Sequence, residues 1–209
     1  MGGAKQLPLA AVLLAGGASR RFGADNKLLA DVDGSPIVAR VAREILAGGV
    51  DELVVVTGAE HEAYVTALAG LPARLVKNAD WDAGIGGSIA TGVRALADTS
   101  QGVFIVPGDL PNLTRGVFQR LGAAFVEAGG GSVIVPVTAD GGQRNPVLWP
   151  RRLFPTLAAL SGPKGGKSLL DTLGDARVDV AFGDESLFVD IDTPEDYARV
   201  IAGARGDAH

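Results

Sequence analysis

The residues best suited to chemistry in this chain gather in a few short stretches. The first is Leu13-Leu14-Ala15-Gly16-Gly17-Ala18-Ser19-Arg20-Arg21-Phe22-Gly23-Ala24-Asp25-Asn26-Lys27. Adjacent glycines let the backbone turn sharply and bring bare N–H groups close to a ligand. Arg20, Arg21 and Lys27 add fixed positive charge around those donors, a combination that suits a polyphosphate. The chain carries a net charge of −5, so basic residues concentrated in one loop point to a small anionic ligand. The loop supplies neither the G-x-G-x-x-G of dinucleotide-binding folds nor the G-x-x-x-x-G-K-[ST] of a P-loop.

Acidic residues form the counterpart. Asp109 ends an apolar run inside Val106-Pro107-Gly108-Asp109-Leu110-Pro111, where a carboxylate is placed to bind a hard cation such as Mg²⁺. In Asp190-Ile191-Asp192-Thr193-Pro194-Glu195-Asp196, Asp190 and Asp192 point the same way if a strand continues through them, and one of them can reach the same metal. For Asp192, ligation and a purely structural role stand level. Glu195 and Asp196 fall in the first turn of a helix, where the helix dipole accounts for them.

Two glycine-rich segments are less specific. Gly84-Ile85-Gly86-Gly87-Ser88 opens a helix whose N–H groups can hold an anion or approach a base. Ser161-Gly162-Pro163-Lys164-Gly165-Gly166-Lys167-Ser168 misses a P-loop by one residue and follows a helix, not a strand. It reads as a mobile basic loop, open between holding an acceptor's phosphate and being a solvated turn. Trp81 reads as a packing residue and His61 as a surface residue.

The elements that must position these residues follow from the apolar pattern. Strands are expected over Leu9–Leu14, Leu53–Val56, Ala73–Val76, Val103–Val106 and Ser132–Pro136. Helices are expected over Pro36–Ala47, with Ser35 as N-cap, and over Glu60–Ala69, Ser88–Leu96 and Arg115–Glu127. This β-then-α order implies an α/β fold, a parallel sheet covered by helices on both faces. Such sheets bind ligands at the carboxyl ends of their strands. Gly16-Gly17, Thr57-Gly58, Asn78 and Pro107-Gly108-Asp109 should therefore gather at one rim. Beyond residue 136 the reading is a strand at Pro146–Trp149, helices at Arg151–Leu160 and Leu169–Leu173, and short strands at Val178–Phe182 and Leu187–Val189. A closing helix follows at Pro194–Ala202, capped by Thr193.

At 209 residues, 47% of them apolar, the chain suits one α/β domain over residues 1–209. The acidic balance argues against a nucleic-acid partner. The absence of cysteine excludes disulfides, thiolate metal sites and cysteine nucleophiles, and two histidines exclude a His-rich metal site. No membrane span or leader is read, so the expected location is cytoplasmic.

Taken together, these motifs resemble those of the MobA-like nucleotidyltransferases, in the family's order, from Leu13 to Tyr197. The resemblance implies a three-layer, Rossmann-like nucleotidyltransferase fold with a mostly parallel sheet. It implies an NTP-binding half over about residues 1–110 and an acceptor-binding half over about 111–209. Leu14, Ala15, Gly16, Gly17, Ser19, Arg20, Arg21 and Lys27 match the loop that wraps the NTP phosphates. Asn78 matches a nucleotide contact, and Gly87 and Ser88 are assigned to the same site. Asp109 matches the magnesium aspartate, with Asp192, in the closing motif, as a second ligand. Arg21, Lys27 and Asp109 are the implied catalytic residues.

Within the family, the middle of the chain looks like the molybdenum cofactor cytidylyltransferases. Gly84-Ile85-Gly86-Gly87-Ser88-Ile89 resembles their G-M-x-x-S-L, and Asn145-Pro146-Val147-Leu148-Trp149 their H-P-V-L-F. Asn145 departs from the usual histidine, and Gly17 gives the L-A-G-G form common in guanylyl members. The implied reaction is Mg²⁺-dependent transfer of a nucleotidyl group, from CTP as the favoured donor or GTP as the alternative, to a phosphate of molybdopterin. The expected partners are that NTP, molybdopterin, and a molybdoenzyme or its chaperone that receives the product. Sugar-phosphate nucleotidyl transfer, an NAD(P)H-dependent oxidoreductase and a non-catalytic nucleotide-binding module are the competing readings.

Overall fold

The computed structural model describes residues 7–17, 26–163, 165–193 and 195–199. The chain runs through β1 (Leu9–Ala15), a hairpin of β2 (Asp31–Val32) and β3 (Ser35–Pro36), α1 (Ile37–Ala47), β4 (Glu52–Thr57), α2 (His61–Ala67) and β5 (Ala73–Lys77). It continues through α3 (Ile85–Arg94), β6 (Gly102–Pro107), α4 (Arg115–Glu127), β7 (Val133–Val137), β8 (Val147–Pro150), α5 (Phe154–Ala158), α6 (Lys167–Leu170) and β9 (Arg177–Ala181). Residues 195–199 are helical.

Seven strands form one sheet in the order β5-β4-β1-β6-β8-β7-β9. β8 pairs antiparallel with β6 and β7, while the other pairings are parallel. The central strand shows why its sequence is a continuous apolar run. Ala11, Leu13 and Ala15 face the layer holding α1, α2 and α4, and Ala10, Val12 and Leu14 face the layer holding α3, α5 and α6. A strand buried on both sides has no polar face to alternate with. Gly92 lets α3 seat directly on this sheet, since a Cβ there would lie 2.3 Å from Val12 Cγ1.

Several expected elements differ. Ser35 is not the N-cap of α1: it lies in β3, and its hydroxyl accepts from Arg43 at 2.6 Å. Ile37 N donates instead to Ala30 O at 3.0 Å, so backbone from the hairpin side satisfies the helix start. The expected helix over Arg151–Leu160 is a 3₁₀ turn, Arg151–Leu153, followed by α5. Pro155 accounts for the break, because it has no N–H and is tolerated only in a helix's first turn. Leu187–Val189 is not a strand; a 3₁₀ turn, Glu185–Phe188, takes its place, started by Asp184 accepting from Ser186 N at 2.9 Å. The helix expected from Ser88 begins at Ile85, and the one expected from Leu169 begins at Lys167.

Parallel pairing carries the ends of β1, β4, β5 and β6 to one side. Ala15 lies opposite Thr57, Thr57 opposite Lys77, and Leu14 opposite Pro107. Gly16-Gly17, Gly58, Asn78 and Gly108-Asp109 therefore leave the sheet at one rim, as the strand order requires. Among the described residues, no helix is long and apolar enough to cross a membrane.

Candidate active site

The floor of the rim is built from glycine backbone and one buried amide. Gly108 N donates to Leu14 O at 3.0 Å, and Asn78 N to Thr57 O at 2.9 Å. Asn78 is buried; its Nδ2 donates to Ser88 Oγ at 3.1 Å, and its Oδ1 accepts from Asp80 N at 3.1 Å. Asn78 therefore ties the turn after β5 to the first turn of α3. A Cβ on Gly16 would lie 3.4 Å from Ser88 Oγ, and one on Gly87 would lie 3.6 Å from Asn78 Nδ2. Gly16, distant in sequence, thus meets Asn78, Gly87 and Ser88 here. A Cβ on Gly58 would come within 2.9 Å of Gly16 O and of the Trp81 ring, so Trp81 packs against Gly58 at the rim.

A short local structure aims Lys27. Asn26 Oδ1 accepts from Leu28 N at 3.1 Å and launches the 3₁₀ turn Lys27–Leu29. Leu28 is buried near Gly108, which anchors that turn in the core. Asn26 Nδ2 donates to Tyr64 Oη at 2.9 Å and also to Glu60. Burial pushes the Tyr64 hydroxyl up to about 12.

Lys27 Nζ then donates to Asp109 Oδ2 at 2.9 Å, to Asp192 Oδ1 at 3.1 Å and to Ile191 O at 2.6 Å. Burial alone would lower the ammonium pKa, but the carboxylates of Asp109 and Asp192 outweigh it and hold the pKa above the ordinary lysine value. Ile191 N donates to Asp109 O at 3.0 Å, binding the closing motif to the end of β6. Asp190 is exposed beside this group. The hydration it loses, with the neighbouring Asp192 and Asp109 carboxylates, raises its carboxyl pKa. Asp190 and Asp192 thus share a site, although no strand aligns them.

Asp196, which the helix dipole alone explained, does more. Its Oδ2 accepts from Asp192 N at 3.2 Å and from Thr193 N at 2.9 Å, and Asp196 N donates back to Thr193 Oγ1 at 3.2 Å. This reciprocal cap, with Thr193 in the expected N-cap role, fixes the backbone that carries Asp192. Spacing was the available signal, since Thr193 and Asp196 stand three apart at a helix start.

The remaining expected site residues fall in three groups. Ser19, Arg20 and Arg21 lie outside the described residues. Leu14 and Ala15 are buried in β1, so any contact of theirs with a phosphate is made by backbone; the Leu14 side chain faces a cavity. Among the described residues, no three His, Cys, Asp or Glu side chains are arranged to hold a metal ion. Asp109 and Asp192, aimed at one point with Asp190 beside them, nevertheless offer the hard oxygens Mg²⁺ takes; Mg²⁺ commonly needs only one or two carboxylates, its other sites filled by phosphate and water.

The cavity, of about 610 Å³, was not legible in the sequence. Leu14, Ile89, Val147 and Trp149 line its apolar wall, and Arg144 and Lys167 stand at its polar edge. Gly165 and Gly166 line this cavity, and Gly162 and Gly166 pack against their neighbours. Gly86 N donates to Gly162 O at 3.0 Å, and a Cβ on Gly166 would lie 2.8 Å from the Trp149 ring. Gly86 N, in the first turn of α3, is thus taken by a protein carbonyl rather than left for an anion.

Comparison with known proteins places the fold and the family. Nicotine blue oxidoreductase of Paenarthrobacter nicotinovorans is 40% identical over 111 residues, 53% of this chain and 53% of that protein, so the match spans about half of that relative. A molybdenum cofactor guanylyltransferase of Cereibacter sphaeroides is 30% identical over 202 residues, 94% of this chain and 97% of that protein. Among solved structures, the homologue of Mycobacterium tuberculosis Rv0371c from Mycobacterium sp. strain JC1 superposes with a TM-score of 0.81 at 25% identity, covering 95% of this chain and 97% of that one. Rv0371c of Mycobacterium tuberculosis H37Rv, crystallised as a complex with manganese, gives a TM-score of 0.74 at 22% identity, covering 93% of this chain and 98% of that one. These structures establish the α/β nucleotidyltransferase fold with its seven-stranded, mostly parallel sheet. Residues 11–178 match the MobA-like NTP transferase domain, and the chain belongs to that family.

Proposed function

We propose that this chain transfers a guanylyl group from GTP to a terminal phosphate of molybdopterin and releases pyrophosphate. The observation that carries the reading is the meeting of Lys27, Asp109 and Asp192 at the rim where the Gly16-Gly17 backbone leaves β1. Guanine replaces the cytosine favoured by the chain's middle motifs for two reasons. Relatives matched across nearly the whole chain are named guanylyltransferases, and Gly17 supplies the L-A-G-G form.

In the reaction, an oxygen of the acceptor phosphate attacks the α-phosphorus, and the bond from that phosphorus to the α,β-bridging oxygen breaks. The acceptor phosphate is already ionised near neutral pH, so no general base is needed. The chain's task is in-line positioning and neutralisation of charge. Backbone N–H groups of Gly16 and Gly17, with Arg20, Arg21 and Lys27, would hold the phosphates that leave. Asn78, Gly87 and Ser88 would hold the nucleoside side of the rim. Asp109 and Asp192 would hold a magnesium ion, which when bound neutralises phosphate charge. The cavity beside Trp149 would take the flat part of the acceptor, with Arg144 and Lys167 at its edge. Residues up to about 110 would then form the NTP half and the remainder the acceptor half of one domain. A molybdoenzyme or its chaperone would receive the product.

Incubation with molybdopterin and either α-³²P-labelled GTP or CTP tests this reading. Labelled dinucleotide cofactor from GTP supports it; product from CTP alone returns the base to cytosine, and product from neither removes the transferase reading. A second reading, oxidation–reduction, is favoured by the 40% identity to nicotine blue oxidoreductase. Thermal stabilisation by NADPH and not by GTP would select it.

A further inference from the structure

We propose that Lys27 holds the cation position between Asp109 and Asp192 in the nucleotide-free protein, so that a divalent metal enters only once a nucleotide's phosphates have drawn the lysine away. The inference rests on Asp109 and Asp192 being the metal pair of the transferase reading.

The geometry begins with an all-oxygen shell. Asp109 Oδ2, Asp192 Oδ1 and Ile191 O lie 2.9, 3.1 and 2.6 Å from one nitrogen. Hard divalent cations take such oxygens, and here a primary ammonium occupies their focus and donates to all three. The ammonium is also well enclosed, its side chain 13% exposed, while those of Asp109 and Asp192 are 23% and 45% exposed. A divalent ion at this focus would meet a like charge at contact distance, so the two cations exclude each other.

A nucleotide changes that balance. Its triphosphate adds several negative charges beside Gly16-Gly17, enough for two cations to sit side by side. Lys27 would pass to the phosphates, and the carboxylates it leaves would take the metal. Asp190, next to the same pair, adds a further carboxylate that a lone ammonium does not neutralise. Nucleotide and metal affinities are then positively coupled, and the coupling is reciprocal. For the chemistry, this means that the metal arrives with its nucleotide, and that the acidic pair stays ordered while the site waits.

The experiment measures Mn²⁺ binding to the full chain without nucleotide, by electron paramagnetic resonance of the free ion and by melting temperature in added Mn²⁺. Lys27→Met should bind Mn²⁺ roughly 10- to 100-fold more tightly than wild type, the span by which one neighbour of a metal site commonly moves affinity. Its melting temperature should rise with Mn²⁺ where the wild-type value stays constant. Lys27→Arg, which keeps the charge, should bind as weakly as wild type, and adding Asp109→Asn to Lys27→Met should remove the gain. If Lys27→Met does not fold, Lys27→Gln carries the same comparison. Equal or weaker Mn²⁺ binding after the charge is removed overturns the proposal. The transferase reading is tested separately: if wild type fails to bind Mn²⁺ with the α,β-methylene analogue of GTP present, the metal pair itself is wrong.

Discussion

Thr193 and Asp196 cap each other: Asp196 N donates to Thr193 Oγ1 at 3.2 Å, and Thr193 N donates back to Asp196 Oδ2 at 2.9 Å. The same Oδ2 accepts from Asp192 N, so the cap sets the backbone that presents Asp192 to Lys27. The Thr193 hydroxyl and amide hold the Asp196 carboxyl below its ordinary value. A carboxyl lowered in the folded state contributes stability above its unfolded value, about 3.9, and loses it as pH falls through the lower folded value. Asp196→Ala should therefore melt below wild type at neutral pH, with the gap closing under strong acid. A gap that stays constant from neutral pH to strong acid would sink the cap's role. Asp196→Asn, which keeps one acceptor oxygen, should retain part of the stability and part of the activity.

Asp109 stands at the end of β6, outside the packed layers, so its removal should spare the fold. Gly108 N to Leu14 O, the backbone bond beside it, needs no Asp109 side chain. Asp109→Ala should keep its circular dichroism spectrum and lose guanylyl transfer by roughly 10²–10³-fold, the cost typical of removing one group that neutralises charge in a transition state. Single-turnover rates with GTP and molybdopterin measure it. Wild-type rates from this variant would falsify the metal assignment.

Much of the fold was legible because short β-branched runs such as Val103–Val106, stopped by Pro107-Gly108, favour a strand buried on both faces over a helix. Parallel order then forced Gly16, Gly58, Asn78 and Asp109 to one rim without further information. What stayed hidden depends on contacts between distant parts of the chain. The 3₁₀ turn at Glu185–Phe188 won over a strand because Asp184 offered Ser186 a local hydrogen bond, a competition invisible to apolar counting. Packing of Ser161 and Gly162 against the start of α3 required space at Gly84 and Gly86, where a Cβ would come within 2.4 and 2.8 Å of the loop backbone. Those glycines read from sequence as anion donors; in the fold they serve close packing as well.

Gly92 gives a test of the packing that holds the site's elements together. In an exposed helix interior, glycine to alanine gains up to about 1 kcal/mol of helix propensity. Here the added Cβ would lie 2.3 Å from Val12 Cγ1 and 2.9 Å from Val56 Cγ2, both in the core. Overpacking of this kind costs about 1–3 kcal/mol, so the clash wins and Gly92→Ala should be destabilised in urea unfolding. Val12→Ala removes the nearest methyls and should recover part of that loss in the double variant. A Gly92→Ala protein more stable than wild type would mean that α3 rides further from the sheet.

A substitution at Ile85 tests the proposed division between acceptor and nucleotide binding. It is 43% exposed at the start of α3 while lining the cavity, an apolar side chain offered to whatever fills that space. Ile85→Glu removes the apolar contact and sets a negative charge against an anionic acceptor. The helix itself should tolerate the change, because a carboxylate in the first turn is favoured by the dipole. The variant should melt near wild type, bind GTP as wild type does, and show an acceptor KM raised by about tenfold or more, the scale of losing one apolar contact in a pocket. Ile85→Leu, which preserves the contact, should leave KM unchanged. A loss of GTP affinity with acceptor KM unmoved would exchange the two halves of the cleft, placing the base beside Trp149 and the acceptor elsewhere on the rim.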